Sequence, residues 1–425
     1  MTPARESSNP IESPWWITPH GLTLGFLIPV LILVAAAGRM NFPGLTVRGH
    51  IFLNDAYVLM ATLILACIAI AGWVGTKITP GLQAPDKNNY LRAGMVVGLI
   101  AVLAYLYWFK SFFVNPVLLF QTLVGTYKPD RTEIGSTTGV TSLVNMAPVF
   151  FSIYAFCWVH ADKPMARKYH ALAALLMALT LFRVYAWSER LALIEAAIPF
   201  AVAAGFKLSK GVPTATRKLA IMVGPFALVP LLILYFGASE YFRSWQSDTY
   251  AGKTGFWEFA IGRFASYYYT SLNNGAGVLA TFEWPSLRFE NTLLWVHKFP
   301  LGVGEGFGVL VGQPRTEFNH FSQFLARYVD QEFNNPSGVF SVVYDVGLPL
   351  GIVYFCAIAL AAGYALNLYR QAHPAGALIY PLLYLSFLEI FRYPYLGASR
   401  AFTWQIGIVL VFVLASLVKQ LGRSK

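Results

Sequence analysis

AYVLMATLILACIAIAGWV, residues 56–74, runs for nineteen residues without a charge. A helix rises about 1.5 Å per residue and a hydrocarbon core is about 30 Å thick, so this stretch is long enough to cross a bilayer once. Similar apolar runs lie near 22–38, 93–110, 139–158, 170–187, 190–207, 218–236, 338–366, 376–391 and 402–418. They predict an all-α polytopic membrane protein of about ten transmembrane helices. The first run follows a polar stretch whose one basic residue is Arg5, which is not the basic start of a cleaved signal peptide, so it reads as an anchor. Ser111–Gly125 is apolar but short and contains Pro116, and it reads as an interfacial or re-entrant helix.

The composition agrees. Of 425 residues, 56% are hydrophobic and only 12% charged, with a mean hydropathy of +0.55. A soluble domain carries about 25% charged residues, so the surface charge that water demands is missing. Disordered, collagenous and disulfide-rich secreted classes are excluded. Cys67, Cys157 and Cys356 all fall inside apolar runs and read as small core residues, not as a metal or disulfide framework. The net charge of +11 would suggest nucleic acid in a soluble chain. In a membrane protein it points instead to basic cytoplasmic loops, and no nucleic-acid partner is expected.

With the N-terminus inside, the inside segments hold fifteen basic residues and the short outside loops nine. The remaining seven sit in the long loop, which crosses the membrane regardless of charge. Both termini are therefore expected in the cytoplasm. Helices one to seven occupy 1–238, a long extracytoplasmic loop 239–337, and helices eight to ten 338–425. A loop of that length is usually functional or folded. Its "GVGEGFG", residues 302–308, has no strand before it and no Lys-Ser/Thr behind it, which argues against a nucleotide loop. A tight turn, or a nest of backbone N–H groups for a lipid pyrophosphate, remains.

Charge near or inside a bilayer is costly and marks function. Arg183 and Arg190 bracket the turn between the fifth and sixth spans, with Glu195 about 7–8 Å deeper along the helix. Arg392 and Arg400 flank the connection between the ninth and tenth spans, and Glu389 precedes Arg392 by three residues. Single arginines at helix ends snorkel to headgroups. Four on the side that the charge bias disfavours point to an anionic lipid headgroup, because a guanidinium grips phosphate with two parallel donors. Arg243, in "EYFRSW", lies just beyond the seventh span.

"RFASYYYTSLNNGAG", residues 263–277, places Tyr268, Tyr269, Asn273 and Asn274 together in the outer loop. Aromatic faces stack on sugar rings and amides read hydroxyls, so the segment suits a glycan, while the tyrosines alone would equally form an interfacial aromatic belt. "EFNNPSGVFSVVYDVG" adds Glu332, Asn334 and Asn335 before the eighth span and Asp345 within it. Asp345 needs a partner or a watery cavity. His297 and His320 are the histidines of the outer loop and candidate proton acceptors.

In order, "STTGVTSLVNMAP", "SERLALIEAAIP", "EYFRSW", "YYYTSLNNG", "NNPSGVFSVVYDVG" and "RYPYLGASRA" resemble the Wzy-type polysaccharide repeat-unit polymerases, relatives of the O-antigen ligases. The resemblance covers the chain from the fourth span onward. It implies a GT-C-like, metal-independent inverting glycosyltransferase of the bacterial inner membrane, without a cofactor. Its substrate would be an oligosaccharide on undecaprenyl pyrophosphate, and its pathway partners a flippase and a chain-length regulator. Arg190 would hold the donor pyrophosphate, with Arg400 and Arg243 candidates for the same work; Arg183 and Arg392 are inferred from position. Glu195, Asp345, Glu332 and His320 remain possible bases. Ligases carry a His-Asn pair where this chain has Asn334-Asn335, which favours a polymerase over a ligase. A flippase or transporter would also want buried arginines, but repeat symmetry is not visible in the sequence.

Overall fold

Polar residues at the starts of the apolar runs cap the helices that follow. The side chains of Thr18, Asn54, Asp86 and Thr214 accept hydrogen bonds from Gly21, Tyr57, Asn88 and Arg217 N–H groups, which have no partner within a helix. The structure, a computed structural model, describes residues 13–40, 50–79, 81–127, 129, 136–137, 139–160, 164–187, 189–210, 214–241, 245, 255–313, 320–329 and 334–423.

In chain order the principal helices are α1 (Pro19–Arg39), α2 (Asp55–Gly75), α3 (Lys87–Trp108), α4 (Thr141–His160), α5 (Arg167–Trp187), α6 (Arg190–Ser209), α7 (Ala215–Glu240), α8 (Phe256–Thr281), α9 (Val303–Leu310), α10 (His320–Tyr328), α11 (Gly338–Val346), α12 (Leu348–Arg370), α13 (Pro374–Leu388) and α14 (Ser399–Arg423). Among the described residues, nine helices are long and apolar enough to cross a membrane: α1 to α7, α12 and α14. This is the architecture of a multi-pass membrane protein.

The ninth expected span, 376–391, is the shorter helix α13, fifteen residues long. All of its side chains except Ile379 and Leu388 are buried. A helix enclosed by protein need not match the full hydrocarbon thickness. The eighth expected span, 338–366, is also not continuous. Gly347, with φ +82°, breaks it into α11 and α12. The carbonyls of Tyr344 and Asp345 at the end of α11 accept from Ser286 N (2.8 Å) and Leu287 N (2.9 Å) of the long loop. The loop thereby supplies the partners that the break removes.

The helices antiparallel to one another leave two ends to the bundle. At one end Arg370 donates to Ser13, Asn367 to the carbonyls of Thr76 and Ile78, and Lys87 to the His160 carbonyl. The other end carries the long loop. There α8 lies over the helix ends: Tyr269 packs on Gly38 of α1, and the Ser271 hydroxyl donates to the carbonyl of Phe391 beyond α13. Gly237 of α7 faces Phe256 and Ala260. Close backbone approach joins α2 to α12, where a Cβ on Gly363 would sit 2.6 Å from the Gly72 carbonyl oxygen. Residues 111–125 form two short helices, Lys110–Val114 and Pro116–Leu123, with exposed Phe113, Val114, Val117 and Phe120.

Candidate functional site

At the loop end, the first residues of α6 and α14 and the last turn of α5 converge. Glu189, just before α6, binds two arginines. The Arg183 guanidinium donates from Nε and Nη2 to its two carboxylate oxygens, each at 2.7 Å, and Arg400 Nη2 donates to Oε1. Arg183 Nη1 also donates to Asn145 Oδ1 of α4 (3.1 Å), and its guanidinium lies over the Trp108 ring. Only 4% of Arg183 is exposed. A buried ion is tolerated only with its charge paired and its donors filled, and Arg183 meets both conditions inside the chain. It binds α4 and α5 to the start of α6 and offers no free edge to a ligand, contrary to the sequence expectation.

Arg400 continues the network inward. Its Nε lies 3.5 Å from Glu195 Oε1, and the same oxygen accepts the Tyr395 hydroxyl at 2.8 Å. Glu195 is buried, and its carboxyl group is held in place by these two donors. On the far side of the 389–400 connection, Arg392 Nη1 donates to Glu389 Oε2 (2.6 Å) and Nη2 to the Tyr267 hydroxyl of α8. The Arg392 Nε, the Tyr393 hydroxyl and the Ser399 hydroxyl are buried, with no hydrogen-bond partner among the described residues. Three such groups in one connection mark a place built to meet something polar. Arg190, the first residue of α6, follows Glu189 and is half-buried.

The N-termini of α6 and α14 therefore lie side by side, joined by the Arg400–Glu189 ion pair. Each helix start carries the positive end of a backbone dipole and N–H groups without helical partners. Two helix starts, the arginines and their partner carboxylates Glu189, Glu195 and Glu389 coincide at this end. A small apolar hollow of about 20 Å³ between α12 and α13 is lined by Tyr354, Ile358, Phe387, Ile390, Tyr393 and Tyr395.

A second cluster faces the first across Gly397, where a Cβ would sit 2.1 Å from the Asn291 carbonyl oxygen. Asp345 is its anchor. Its carboxylate accepts from the backbone N–H groups of Asn291 (2.9 Å) and Thr292 (2.7 Å), from Asn291 Nδ2 (3.0 Å) and from the Thr292 hydroxyl (2.8 Å). With no exposed surface and four donors engaged, Asp345 fixes the loop to α11 and is not placed to accept a proton from substrate. This corrects its reading as a candidate base.

Glu290 stands next to it, and sequence reasoning missed it. Its Oε2 accepts from the His320 backbone N–H (3.2 Å), and its Oε1 is buried without a hydrogen bond among the described residues, 3.7 Å from His320 Nδ1. Burial, and then the neighbouring Asp345 charge, push its carboxyl up to about 7, while the bond from the His320 amide and the Arg288 charge oppose the rise. His320 Nδ1 meets the Tyr344 hydroxyl, and Nε2 accepts from Arg288 Nη1 at 3.3 Å. The ring stacks on Phe282. A small cleft lined by Val278, Glu290, Phe321, Ser341 and Tyr344 opens beside the pair.

The glycan candidates on α8 divide. Asn273 Oδ1 accepts from Phe52 N (2.7 Å) and Leu53 N (3.0 Å), and its Nδ2 donates to the His50 carbonyl (2.9 Å). Asn274 Nδ2 donates to the Asn335 carbonyl (3.3 Å), and Tyr269 is buried against α1. These three side chains fasten α8 to the bundle instead of presenting a sugar platform, because the face of α8 that carries them is the buried one. Tyr268 is partly exposed and packs edge-on against Phe264 and Tyr267. Asn334 is exposed, and Asn335 half-buried, just before α11. Arg243 and Glu332 lie outside the described residues. Residues 303–310 form the helix α9, entered through Gly302 at φ +79°, and not the tight turn or anion nest expected there. Glu305 in its first turn opposes an anion. Among the described residues no group of three or more His, Cys, Asp or Glu is placed to hold a metal ion.

No protein-family model matches the chain, and no curated protein or solved structure matches it.

Proposed function

We propose that the protein is a membrane glycosyltransferase that joins lipid-pyrophosphate-linked oligosaccharide units into a polysaccharide on the outer face of the bacterial inner membrane. The observation that carries this reading is the meeting of two helix N-termini, Arg190, Arg400 and three orphaned polar groups at the loop end of the bundle. Breaking the bond between a sugar and a pyrophosphate leaves negative charge on the departing oxygen. Fixed guanidiniums and helix N-termini aimed there stabilise it without reorganising. Arg190 and Arg400 take that role, and Glu189 and Arg183 hold Arg400 in position.

The acceptor hydroxyl attacks the anomeric carbon of the donor as the bond to pyrophosphate breaks, and its proton passes to a base. Asp345 and Glu195 are occupied by donors from the chain. We assign the proton to His320, beside Glu290, whose Nε2 must release the Arg288 guanidinium to accept it. The exposed Asn334, half-buried Asn335 and Tyr268 are assigned to the glycan. The bundle end opposite the loop carries Lys77, Lys87, Lys168, Lys210 and Arg217, which supports cytoplasmic termini.

The test is the lipid-linked material in a strain lacking the protein. Single repeat units on undecaprenyl pyrophosphate at the outer leaflet, never joined, are expected. Units trapped on the cytoplasmic leaflet would assign a flippase instead, and full-length polymer left on the carrier a ligase.

A further inference from the structure

Helix α9 turns its apolar side outward. Its small residues Gly304 and Gly308 are buried, and a Cβ on Gly304 would sit 2.3 Å from the His297 carbonyl oxygen. At 100° per residue the opposite side presents Val303, Gly306, Val309 and Leu310. Leu310 is 80% exposed, Val309 71%, and Leu301, just before the helix, 93%. A water-facing loop segment would pattern the other way round.

The surroundings identify what covers this face. The preceding turn, Leu294–His297, packs on the start of α14: Trp295 stacks on Phe402 with ring centroids 3.9 Å apart, and Phe299 lies 6.0 Å from the same ring. Phe402 is in the first turn of a helix that crosses the membrane, so the segment sits at the level where that helix enters the bilayer. Below it, α14 exposes Ile406, Val409 and Val413, an outward apolar stripe. Lys298 is exposed between Trp295 and α9, and a tryptophan and a lysine are the residues that anchor protein at headgroup depth.

We propose that α9 is an interfacial helix, lying in the outer leaflet of the membrane with Leu301, Val309 and Leu310 among the lipid acyl chains. An outward apolar helix of this kind sinks about 5–10 Å into the headgroup boundary. The inference is independent of the catalytic reading.

Photocrosslinking of the full chain in phospholipid nanodiscs tests it. Benzoylphenylalanine is placed at Leu301 or at Val309, and, as a control, at Ala326, an exposed residue of α10. All three positions point outward, and size-exclusion profiles check that each variant folds. Irradiation is expected to give several-fold more phospholipid adduct at 301 and 309 than at 326. Lipid adducts no more frequent at 301 and 309 than at 326 overturn the proposal. So does crosslinking of those positions chiefly to a second copy of the chain.

Discussion

Two arginines seven residues apart have different work. Arg183 is sealed between Glu189, Asn145 and Trp108, whereas Arg190 begins α6 and is half-buried. Removing one partner of a buried ion pair costs about 3–5 kcal/mol, because the other charge stays behind unpaired. Arg183→Ala is therefore expected to lower the amount of folded protein in the membrane. Arg190→Ala should leave that amount unchanged and abolish polymer. Arg190→Lys should restore little, since a point charge does not replace a planar fork. Measuring both accumulation and polymer for each variant separates the roles, and normal polymer from Arg190→Ala would remove it from the site. Glu290 makes a second prediction. Its carboxyl stays protonated in the folded protein up to about 7 but ionises near 4.5 in the unfolded chain. Its favourable contribution is thus complete below 4.5 and lost as pH rises to about 7, a change on the order of a few kcal/mol. Glu290→Gln should flatten the fall in melting temperature across that window, and an unchanged slope would contradict the burial argument. The sequence revealed the arginines because charge in an apolar run is conspicuous. It did not reveal Glu290, one of several acids in a polar loop, since nothing local says that folding will bury it beside Asp345.

The helices divide similarly. Apolar length alone located α1 to α7, because a bilayer demands it of each span separately. The break at Gly347 was not legible: a glycine within an apolar run is common, and what stabilises this one is the pair of loop amides that meets the carbonyls of Tyr344 and Asp345. Nor was it legible that Asn273 turns inward, since the amide that reads a sugar hydroxyl equally reads the backbone of residues 50–53. The α2–α12 contact offers a test at this scale. Gly363 leaves no room for a side chain against Gly72 and Gly75. Gly363→Leu must push the two helices apart, and is expected to lower the melting temperature in detergent clearly more than Gly224→Leu, where a side chain meets nothing. Equal effects would mean that the close approach is not needed.

Across the whole molecule, the loop and the two helix N-termini share one end of the bundle, and the basic residues Lys77, Lys168 and Lys210 lie at the other. Reporter fusions at Lys168, Lys210 and the C-terminus should read as cytoplasmic, and fusions near Lys253 and Arg288 as external; a cytoplasmic loop would place the arginines on the wrong side for an exported substrate. Several of the short segments on which the expected resemblance rests, from the fourth span onward, meet in space. "SERLALIE" and "GASRA" supply Glu189, Glu195 and Arg400, which meet in one network. "YYYTSLNNG" and "NNPSGVFSVVYDVG" fasten the loop over it. The central claim, that this end of the bundle joins lipid-linked units, is tested most directly with purified protein in nanodiscs given only single repeat units on undecaprenyl pyrophosphate, with chelator and no nucleotide sugar. A ladder of longer lipid-linked chains, absent with Arg190→Ala, is the result expected. Folded protein that leaves the correct single units unjoined would contradict it.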